Sequence, residues 1–127
     1  MPNYKESSIY KLCCRDPSIV DIYIGSTKNF TRRKHQHKSC CNSQKGGKYN
    51  TPVYVFIRSN GGVQNWEMIE VERFKALNKR HLEARERHWI DILKPTLNSS
   101  IPIITDADKS RKNNLRMAIA LYEFINS

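Results

Sequence analysis

The segment DIYIGSTKNFTRRKHQH, residues 21–37, concentrates side chains that could move protons and hold an anion. It contains two tyrosines, two adjacent arginines and two histidines. Phenol and imidazole groups exchange protons, and a guanidinium group donates hydrogen bonds in a planar pattern that suits anionic oxygens. The segment also runs from a strand-like stretch into a helix-like one, so we expect these groups to gather where a strand ends and a helix begins.

The predicted helix after this strand carries polar side chains on the face that should meet the core. Arg33 and His37 lie one turn apart, and both share a face with Phe30, which should anchor the helix. A single histidine on such a face is usually a hydrogen-bonded core residue. An arginine and a histidine together are harder to explain by packing and indicate a functional site.

A second predicted helix repeats this anomaly with a carboxylate. Its buried stripe is expected to contain Leu82, Glu86, Trp89, Ile90 and Leu93. A carboxylate in an apolar stripe must be protonated, paired or bound to a metal, because an unpaired buried charge is costly. Pairing with Arg33 or with a lysine at the rim is the structural explanation for Glu86, and a metal is the functional one.

Two tyrosines occupy the predicted strands. Tyr10 lies in the first strand and Tyr23 in the second, and Gly25 follows on the same face as Tyr23. Buried tyrosine is common in strands, so packing alone could account for both. A glycine at the end of a strand indicates that another group approaches the backbone closely.

The hydrophobic patterns predict a small antiparallel sheet with helices. The strands SSIYKLCC (7–14) and SIVDIYIGS (18–26) should form a hairpin, and WEMIEVER (66–73) alternates as a third strand should. The first helix falls within 26–42, and VYVFIR (53–58) fits either a strand or a short buried helix.

Two further helices are predicted towards the end of the chain. One spans 77–94 and is stopped by Pro95, and the other follows the linker NSSIPII and begins near Thr105. The final helix could cover the core or pair two subunits, so a homodimer stays open.

The charge distribution indicates a polyanionic partner. The 127 residues include 22 Lys and Arg against 12 Asp and Glu, a net charge of +10. No acidic residue occurs from Ile22 to Trp66, and a stretch of this kind commonly binds nucleic-acid phosphates. A solvated basic face is the alternative. The basic residues of this stretch are Lys28, Arg32, Arg33, Lys34, Lys38, Lys45, Lys48 and Arg58.

Length and composition favour one intracellular domain, cytoplasmic or nuclear, with no membrane segment. No apolar run approaches the roughly 20 residues of a membrane span, and the first ten residues lack the apolar core of a secretory signal. The four cysteines occur as adjacent pairs at 13–14 and 40–41, which favours reduced thiols. A metal site formed by these cysteines with His35 and His37 is a weaker alternative.

Four sequence elements together resemble the GIY-YIG nuclease domain: SIY at 8–10, YIG at 23–25, STKNFTRRKHQH after it and EARERHWIDILKPTLN later. The resemblance spans residues 7–98 and agrees in spacing as well as in residue type. Residues 99–127 are then a linker and a helix that packs on the domain or serves association. The implied fold is an α/β (α+β) sandwich, a small three-stranded antiparallel sheet flanked by helices, with an additional C-terminal helix.

The resemblance also implies roles for particular residues. It matches Tyr10 and Tyr23 to the signature tyrosines, Gly25 to the motif glycine, Arg33 to the catalytic arginine, His37 to a His or Tyr position, Glu86 to the metal-binding glutamate and Asn98 to the asparagine that closes the module. Ser8 replaces the first signature glycine, which its small side chain should allow. Ser26 stands where some relatives have a lysine.

The implied activity is metal-dependent hydrolysis of DNA phosphodiester bonds, as nicking or cleavage, with one Mg²⁺ or Mn²⁺ on Glu86. Our hypothesis is that Tyr10 takes the proton of the attacking water with help from His37, and that Tyr23 orients water or phosphate. DNA contacts are expected from Lys28, Arg32, Lys34, Lys38, Lys45 and Lys48.

Two other functions stay open. A basic module that only binds nucleic acid would use the same cations, although Glu86 would repel phosphate unless a cation intervened. A catalytic subunit that depends on a partner for targeting is the other, since no zinc-finger spacing or evident helix-turn-helix is present in the sequence.

Overall fold

A computed structural model describes residues 3–98 of the chain. Within them, three strands form one antiparallel sheet: β1 (Ser7–Cys14), β2 (Ile22–Thr27) and β3 (Trp66–Phe74), in the order β2-β1-β3. The predicted three-stranded antiparallel sheet flanked by helices is therefore confirmed. The predicted linker and final helix, 99–127, lie outside the described residues.

The hairpin between β1 and β2 has a longer connection than the sequence predicted. Asp16 and Ile19 close a turn through their backbone groups at 3.1 Å, and the Asp16 carboxylate accepts hydrogen bonds from Ser18. This turn occupies the start of the segment read as strand, and Val20 is 80 % exposed. As a result β2 begins at Ile22 instead of residue 18.

A register shift in β3 accounts for its imperfect alternation. Ile9 pairs with Glu72 whereas Tyr10 pairs with Glu70, so Val71 is an extra residue opposite this step of β1. A bulge of this kind changes the face on which the following side chains lie. It explains why a strict two-residue period does not run through the whole strand.

Three helices complete the described part, together with one 3₁₀ turn at Val63–Asn65. The helix α1 (Phe30–Asn42) is capped by Asn29, whose side chain accepts from the Arg32 N–H. The segment VYVFIR, which fitted either a strand or a helix, is helical and lies in α2 (Pro52–Ser59), which has a proline in its first turn. The helix α3 (Lys79–Leu93) ends before Pro95, as expected.

The sheet separates two hydrophobic clusters, because successive side chains of a strand face opposite sides. The cluster on the side of α1 and α2 consists of Tyr10, Leu12, Cys41, Val53, Tyr54, Ile57, Trp66 and Met68. The cluster on the side of α3 consists of Ile9, Ile24, Ala76, Leu82 and Ile90. We call these sides the α1/α2 face and the α3 face.

The predicted buried stripe of α3 is correct at its centre and wrong at its end. Leu82 and Ile90 are buried, whereas Glu86 and Trp89 are half-buried. Leu93 is 37 % exposed, because the last turn of the helix carries it beyond the α3-face cluster.

Between residues 3 and 98, none of the helices has the length and apolar character needed to cross a membrane. All four cysteines are free thiols. In the same range no three side chains among His, Cys, Asp and Glu come together as a metal cluster, so the described part of the chain does not contain the alternative cysteine–histidine site.

Candidate active site

Tyr10 lies at the centre of the sheet with no exposed surface. Its hydroxyl is 2.7 Å from Nε2 of His37 and accepts a hydrogen bond from Nε of Arg33 at 3.3 Å. Across the hairpin Tyr10 pairs with Gly25, and a Cβ at Gly25 would collide with the Tyr10 hydroxyl. Gly25 is therefore the residue that makes room for this hydroxyl, as its position at the end of a strand indicated.

His37 projects from α1 into the α1/α2 face and is 5 % exposed. Both ring nitrogens are bound by phenols: Nε2 by Tyr10 at 2.7 Å and Nδ1 by the hydroxyl of Tyr54 at 2.8 Å. Burial and the positive charges of Arg33 and Lys48 lower the pKa of His37 to about 3. The imidazole is thus neutral at physiological pH, with one nitrogen donating and the other accepting.

Tyr54 is a member of the site that sequence reasoning missed. It lies in α2 and is 4 % exposed. A run of six residues between Pro52 and Ser59 could be assigned to a strand or a helix, and only the helical assignment places Val53, Tyr54 and Ile57 on one buried side. One sequence signal could have found Tyr54: it is the only hydroxyl-bearing side chain in that apolar run.

Arg33 supplies a cation without a carboxylate partner. Its Nη1 donates to Oε1 of Gln36 at 3.2 Å, and within residues 3–98 it forms no ion pair. Burial acts to lower the pKa of Arg33, but the hydrogen bond and the potential of the neighbouring tyrosines outweigh it and raise the pKa. The guanidinium therefore keeps its charge beside Tyr10.

Tyr23 and Tyr10 differ in access. Tyr10 is fully enclosed, whereas Tyr23 is half-buried and lines a cleft. Burial raises the pKa of both phenols, and the Glu86 carboxylate raises it further for Tyr23 while Arg33 counteracts the increase. Both hydroxyls are therefore protonated in the free protein, and neither is a strong base without help.

Glu86 reaches the site from α3 on the other face of the sheet. Its Oε1 accepts a hydrogen bond from the Ser26 hydroxyl at 2.7 Å. Burial raises the pKa of Glu86, while Ser26 and, more weakly, Arg33 act against that increase. Neither Arg33 nor any lysine of residues 3–98 forms an ion pair with it, so the structural explanation by pairing does not hold there.

The cleft between Tyr23 and Glu86 has a volume of about 480 Å³ and lies beside β2, an edge strand, and its lining does not include Tyr10, Arg33 or His37. Tyr23, Ser26, Glu86 and Asn98 all line it. Asn98 binds both backbone groups of Ile24, through Oδ1 at 2.9 Å and Nδ2 at 2.8 Å. This contact covers the outer edge of β2 up to Ile24 and leaves the following residues facing the cleft.

The predicted DNA-contacting cations are all exposed, and those that line grooves do not all line the same one. Lys28 lines the cleft, and Arg32 lies on a shallow groove along α1. Lys34 and Lys38 border the opposite flank of α1, beside Trp66 and Met68. The remaining two, Lys45 and Lys48, lie in the loop between α1 and α2.

Two other positions have structural contacts that the sequence did not reveal. The guanidinium of Arg58 donates to the backbone oxygens of Cys41 and Tyr49 at 2.8 and 2.7 Å, and it stacks on the Tyr49 ring. This basic residue therefore anchors the loop between α1 and α2. Ser8, at the departure from the signature, donates to Oε1 of Glu70 at 2.7 Å.

The donor set fits one hard divalent cation. Glu86 offers a half-buried carboxylate that faces the cleft without a basic partner among residues 3–98. Mg²⁺ keeps several waters and often binds through one or two carboxylates together with substrate phosphates. The Glu86 carboxylate lies beside an open cleft that Glu83 also lines, and such a site suits a partly hydrated Mg²⁺ or Mn²⁺ better than a closed protein cage would.

Comparison with known proteins gives one match. The family model described as the GIY-YIG catalytic domain matches residues 6–98, well over half of the chain. No curated protein and no solved structure matches the chain significantly. The matched range contains every residue of the site described above.

Proposed function

Because the chain belongs to the GIY-YIG family of nuclease domains, which act as endonucleases on DNA, we propose that it hydrolyses DNA phosphodiester bonds with one divalent cation, Mg²⁺ or Mn²⁺, at Glu86. The observation that carries the proposal is the position of Glu86, which faces the same cleft as Tyr23 and has no basic partner among residues 3–98. A buried carboxylate of this kind is costly unless a cation or a proton neutralises it.

Glu86 would hold the cation, and Ser26 would orient the carboxylate that does so. A bound cation supplies Lewis-acid stabilisation of the charge that develops on the phosphate and on the leaving oxygen. The Ser26 hydroxyl binds Oε1 of Glu86, which leaves Oε2 for the cleft. Ser26 therefore supports the site in a different way from a lysine at this position.

Arg33 would bind the scissile phosphate. Its guanidinium is half-buried, keeps its charge and has no competing carboxylate partner in the described range. A planar guanidinium is suited to two phosphate oxygens at once. It would also stabilise a negative charge on Tyr10, since Nε donates to that hydroxyl.

Tyr10 has no exposed surface in the free protein, so DNA binding would have to admit the attacking water to its hydroxyl. Tyr10 would then transfer the proton of that water to His37. The water O–H bond breaks as its oxygen bonds to phosphorus, the proton moves to the Tyr10 oxygen, and the original Tyr10 proton moves to Nε2 of His37. Tyr23, which borders the cleft, would orient the water or the phosphate. The bond from phosphorus to the leaving oxygen breaks, and that oxygen takes a proton from solvent.

Phosphate binding would make His37 a better proton acceptor. Burial is the main cause of its lowered pKa, and the positive charges of Arg33 and Lys48 lower it further. A phosphate bound near these cations offsets their potential, so the part of the lowering that they cause is reduced and the pKa of His37 rises when DNA is in place. The free protein thus keeps His37 neutral, and the complex allows it to accept the proton.

The experiment is plasmid cleavage with Mg²⁺, with Mn²⁺ and with chelator, for the wild type, Glu86→Gln and Asp91→Asn. Loss of a metal ligand should lower the cleavage rate by about 10³-fold, since such charge stabilisation is worth several kcal/mol. Asp91 is an exposed carboxylate on the same helix and serves as the matched control.

Mn²⁺ binding measured by calorimetry gives a readout that is independent of activity. We expect one site in the wild type and in Asp91→Asn, and its loss in Glu86→Gln. If Glu86→Gln still bound Mn²⁺ and cleaved DNA, the assignment of the metal would be wrong. If the wild type bound DNA in a salt-dependent way without cleaving it, the binding-module function or a missing targeting partner would replace the proposal.

A further inference from the structure

The contact between His37 and Tyr54 is not part of the sequence signature that identifies the family. Tyr54 lies 17 residues after His37, on a separate helix, and outside the four motifs that carry the resemblance. Its hydroxyl is nevertheless buried and 2.8 Å from Nδ1 of His37. A hydroxyl can donate or accept, so this contact fits either imidazole tautomer, and the partner of the other nitrogen decides which one is present.

The direction of the hydrogen bonds follows from the arginine. A guanidinium can only donate, so the Tyr10 oxygen accepts from Nε of Arg33. The proton of Tyr10 is then directed to its second partner, Nε2 of His37 at 2.7 Å. If Nε2 accepts, the neutral imidazole carries its proton on Nδ1 and donates it to Tyr54.

We propose that Tyr54 is a positioning residue that holds His37 in the Nδ1–H tautomer, so that Nε2 is free to accept the proton of Tyr10 during DNA hydrolysis. This inference rests on the proposed function. In the opposite tautomer Nε2 would itself carry a proton, and Tyr10 would have no acceptor in His37. Tyr54 would thus affect the reaction without touching DNA, water or metal.

The same contact also prepares the protonated state of His37. When the Tyr10 O–H bond breaks and the Nε2–H bond forms, the proton on Nδ1 stays where it is. The imidazolium then donates from Nε2 to the Tyr10 oxygen and from Nδ1 to the Tyr54 oxygen, so no side chain has to rearrange. A third group that fixes the tautomer of a catalytic histidine and stabilises its cation has a large effect in other hydrolases.

The first test is nitrogen NMR of the full chain labelled with ¹⁵N-histidine, for the wild type, Tyr54→Phe and Tyr49→Phe. We expect the wild-type His37 to show a protonated Nδ1 and an unprotonated Nε2. Tyr54→Phe keeps the ring that packs on His37 but removes the acceptor, so its tautomer should become mixed or reversed. Tyr49→Phe removes a phenol of the neighbouring loop and should give the wild-type spectrum.

The second test is single-turnover cleavage of DNA at saturating enzyme. Tyr54→Phe should lower the rate of the chemical step by about tenfold or more, which is below the roughly 10²-fold or greater contribution of a complete acid–base catalyst. Its affinity for DNA and for Mn²⁺ should match the wild type. A merely structural role would lower the folded fraction, measured by thermal unfolding, instead of the rate per folded molecule.

Both measurements can overturn the proposed role of Tyr54. A protonated Nε2 in the wild type would overturn the inference, and so would a wild-type tautomer or a wild-type rate in Tyr54→Phe. A wild type that cleaves no DNA would contradict the proposed function, whereas the tautomer measured by NMR would still decide the role of Tyr54 towards His37.

Discussion

The α1/α2 face and the α3 face of the sheet bury different kinds of side chain, although they share the same strands. On the α1/α2 face, Tyr10, His37 and Tyr54 form a continuous hydrogen-bonded chain inside the hydrophobic cluster. The buried cluster on the α3 face consists of aliphatic side chains only. Adjacent residues on one strand show the contrast, since Tyr10 faces one side and Ile9 the other.

This difference indicates a division of labour between stability and chemistry. Aliphatic burial stabilises a fold without constraining protonation states, whereas a buried polar chain is tolerated only when every member has a partner. Within residues 3–98 no buried side-chain nitrogen or oxygen lacks a hydrogen bond. The α3 face brings a residue into the proposed site only at its margin, where Glu86 meets Ser26 beside the edge strand β2.

The largest expected effect is on the α3 face and concerns stability alone. Ile90→Ala removes a side chain that is 6 % exposed, and it should lower the free energy of unfolding by about 2–5 kcal/mol. Urea unfolding measures the loss, and cleavage per folded molecule should stay within about twofold of the wild type. Ile92→Ala, at an exposed position of the same helix, is the control and should change stability by about 0.5 kcal/mol or less.

If Ile90→Ala instead reduced the rate per folded molecule as much as it reduced stability, the two faces would not be separable. The α3-face cluster would then have to be counted as part of the site.

A methyl group at Gly25 should lower both the stability of the protein and its cleavage rate, through the α1/α2 face. In Gly25→Ala the new Cβ collides with the Tyr10 hydroxyl, which has to leave His37 and Arg33. Overpacking of this kind costs about 1–3 kcal/mol of unfolding free energy, and loss of the proton acceptor should lower cleavage by roughly 10²-fold. Thermal unfolding and single-turnover cleavage measure the two effects.

Gly47→Ala is the matched control, because a Cβ at Gly47 meets no atom within 4 Å. Wild-type rates in Gly25→Ala would show that the hydroxyl of Tyr10 does not need its present position.

The last effect is the pH dependence of stability that His37 gives to the α1/α2 face. The pKa of His37 is about 3 in the folded protein and 6.5 ordinarily, so the unfolded chain takes up a proton first as the pH falls. The contribution of neutral His37 to stability is complete above about pH 6.5 and is lost towards pH 3, by at most about 1.4 kcal/mol per pH unit. The stability difference between wild type and His37→Gln should therefore change between pH 7 and pH 4.

Urea unfolding at several pH values provides the measurement. His35→Gln, an exposed histidine of the same helix, controls for the loss of an imidazole. A difference between wild type and His37→Gln that stayed constant over this range would mean that His37 is not buried as a neutral group.

Most of the secondary structure could be predicted because local patterns specify it. Asn29 and Asn78 cap helices close to where the sequence placed them, and Pro95 follows the end of α3. The errors occur where local signals were weak: the turn at Asp16 shortened β2, and six apolar residues around Tyr54 could not distinguish a strand from a helix. The exposure of Leu93 depends on where the sheet ends beneath the helix.

The sequence by itself determined which residues share a face. The two-residue period of a strand places Tyr23 and Gly25 together, and the helical period places Arg33 and His37 together, whatever the rest of the chain does. The helical period also selected Glu86 as the anomalous carboxylate, whereas the family was identified from the resemblance of four motifs and their spacing.

Only the tertiary structure decided which faces meet. The hydrogen bond between Ser26 and Glu86 joins residues 60 positions apart, and the one between His37 and Tyr54 crosses from one helix to another. Such contacts depend on the packing angle and register between elements. The side-chain volumes of the whole core fix these together, so no local sequence period encodes them. For this reason the sequence could name candidate catalytic groups but could not show how His37, the proposed proton acceptor, is held.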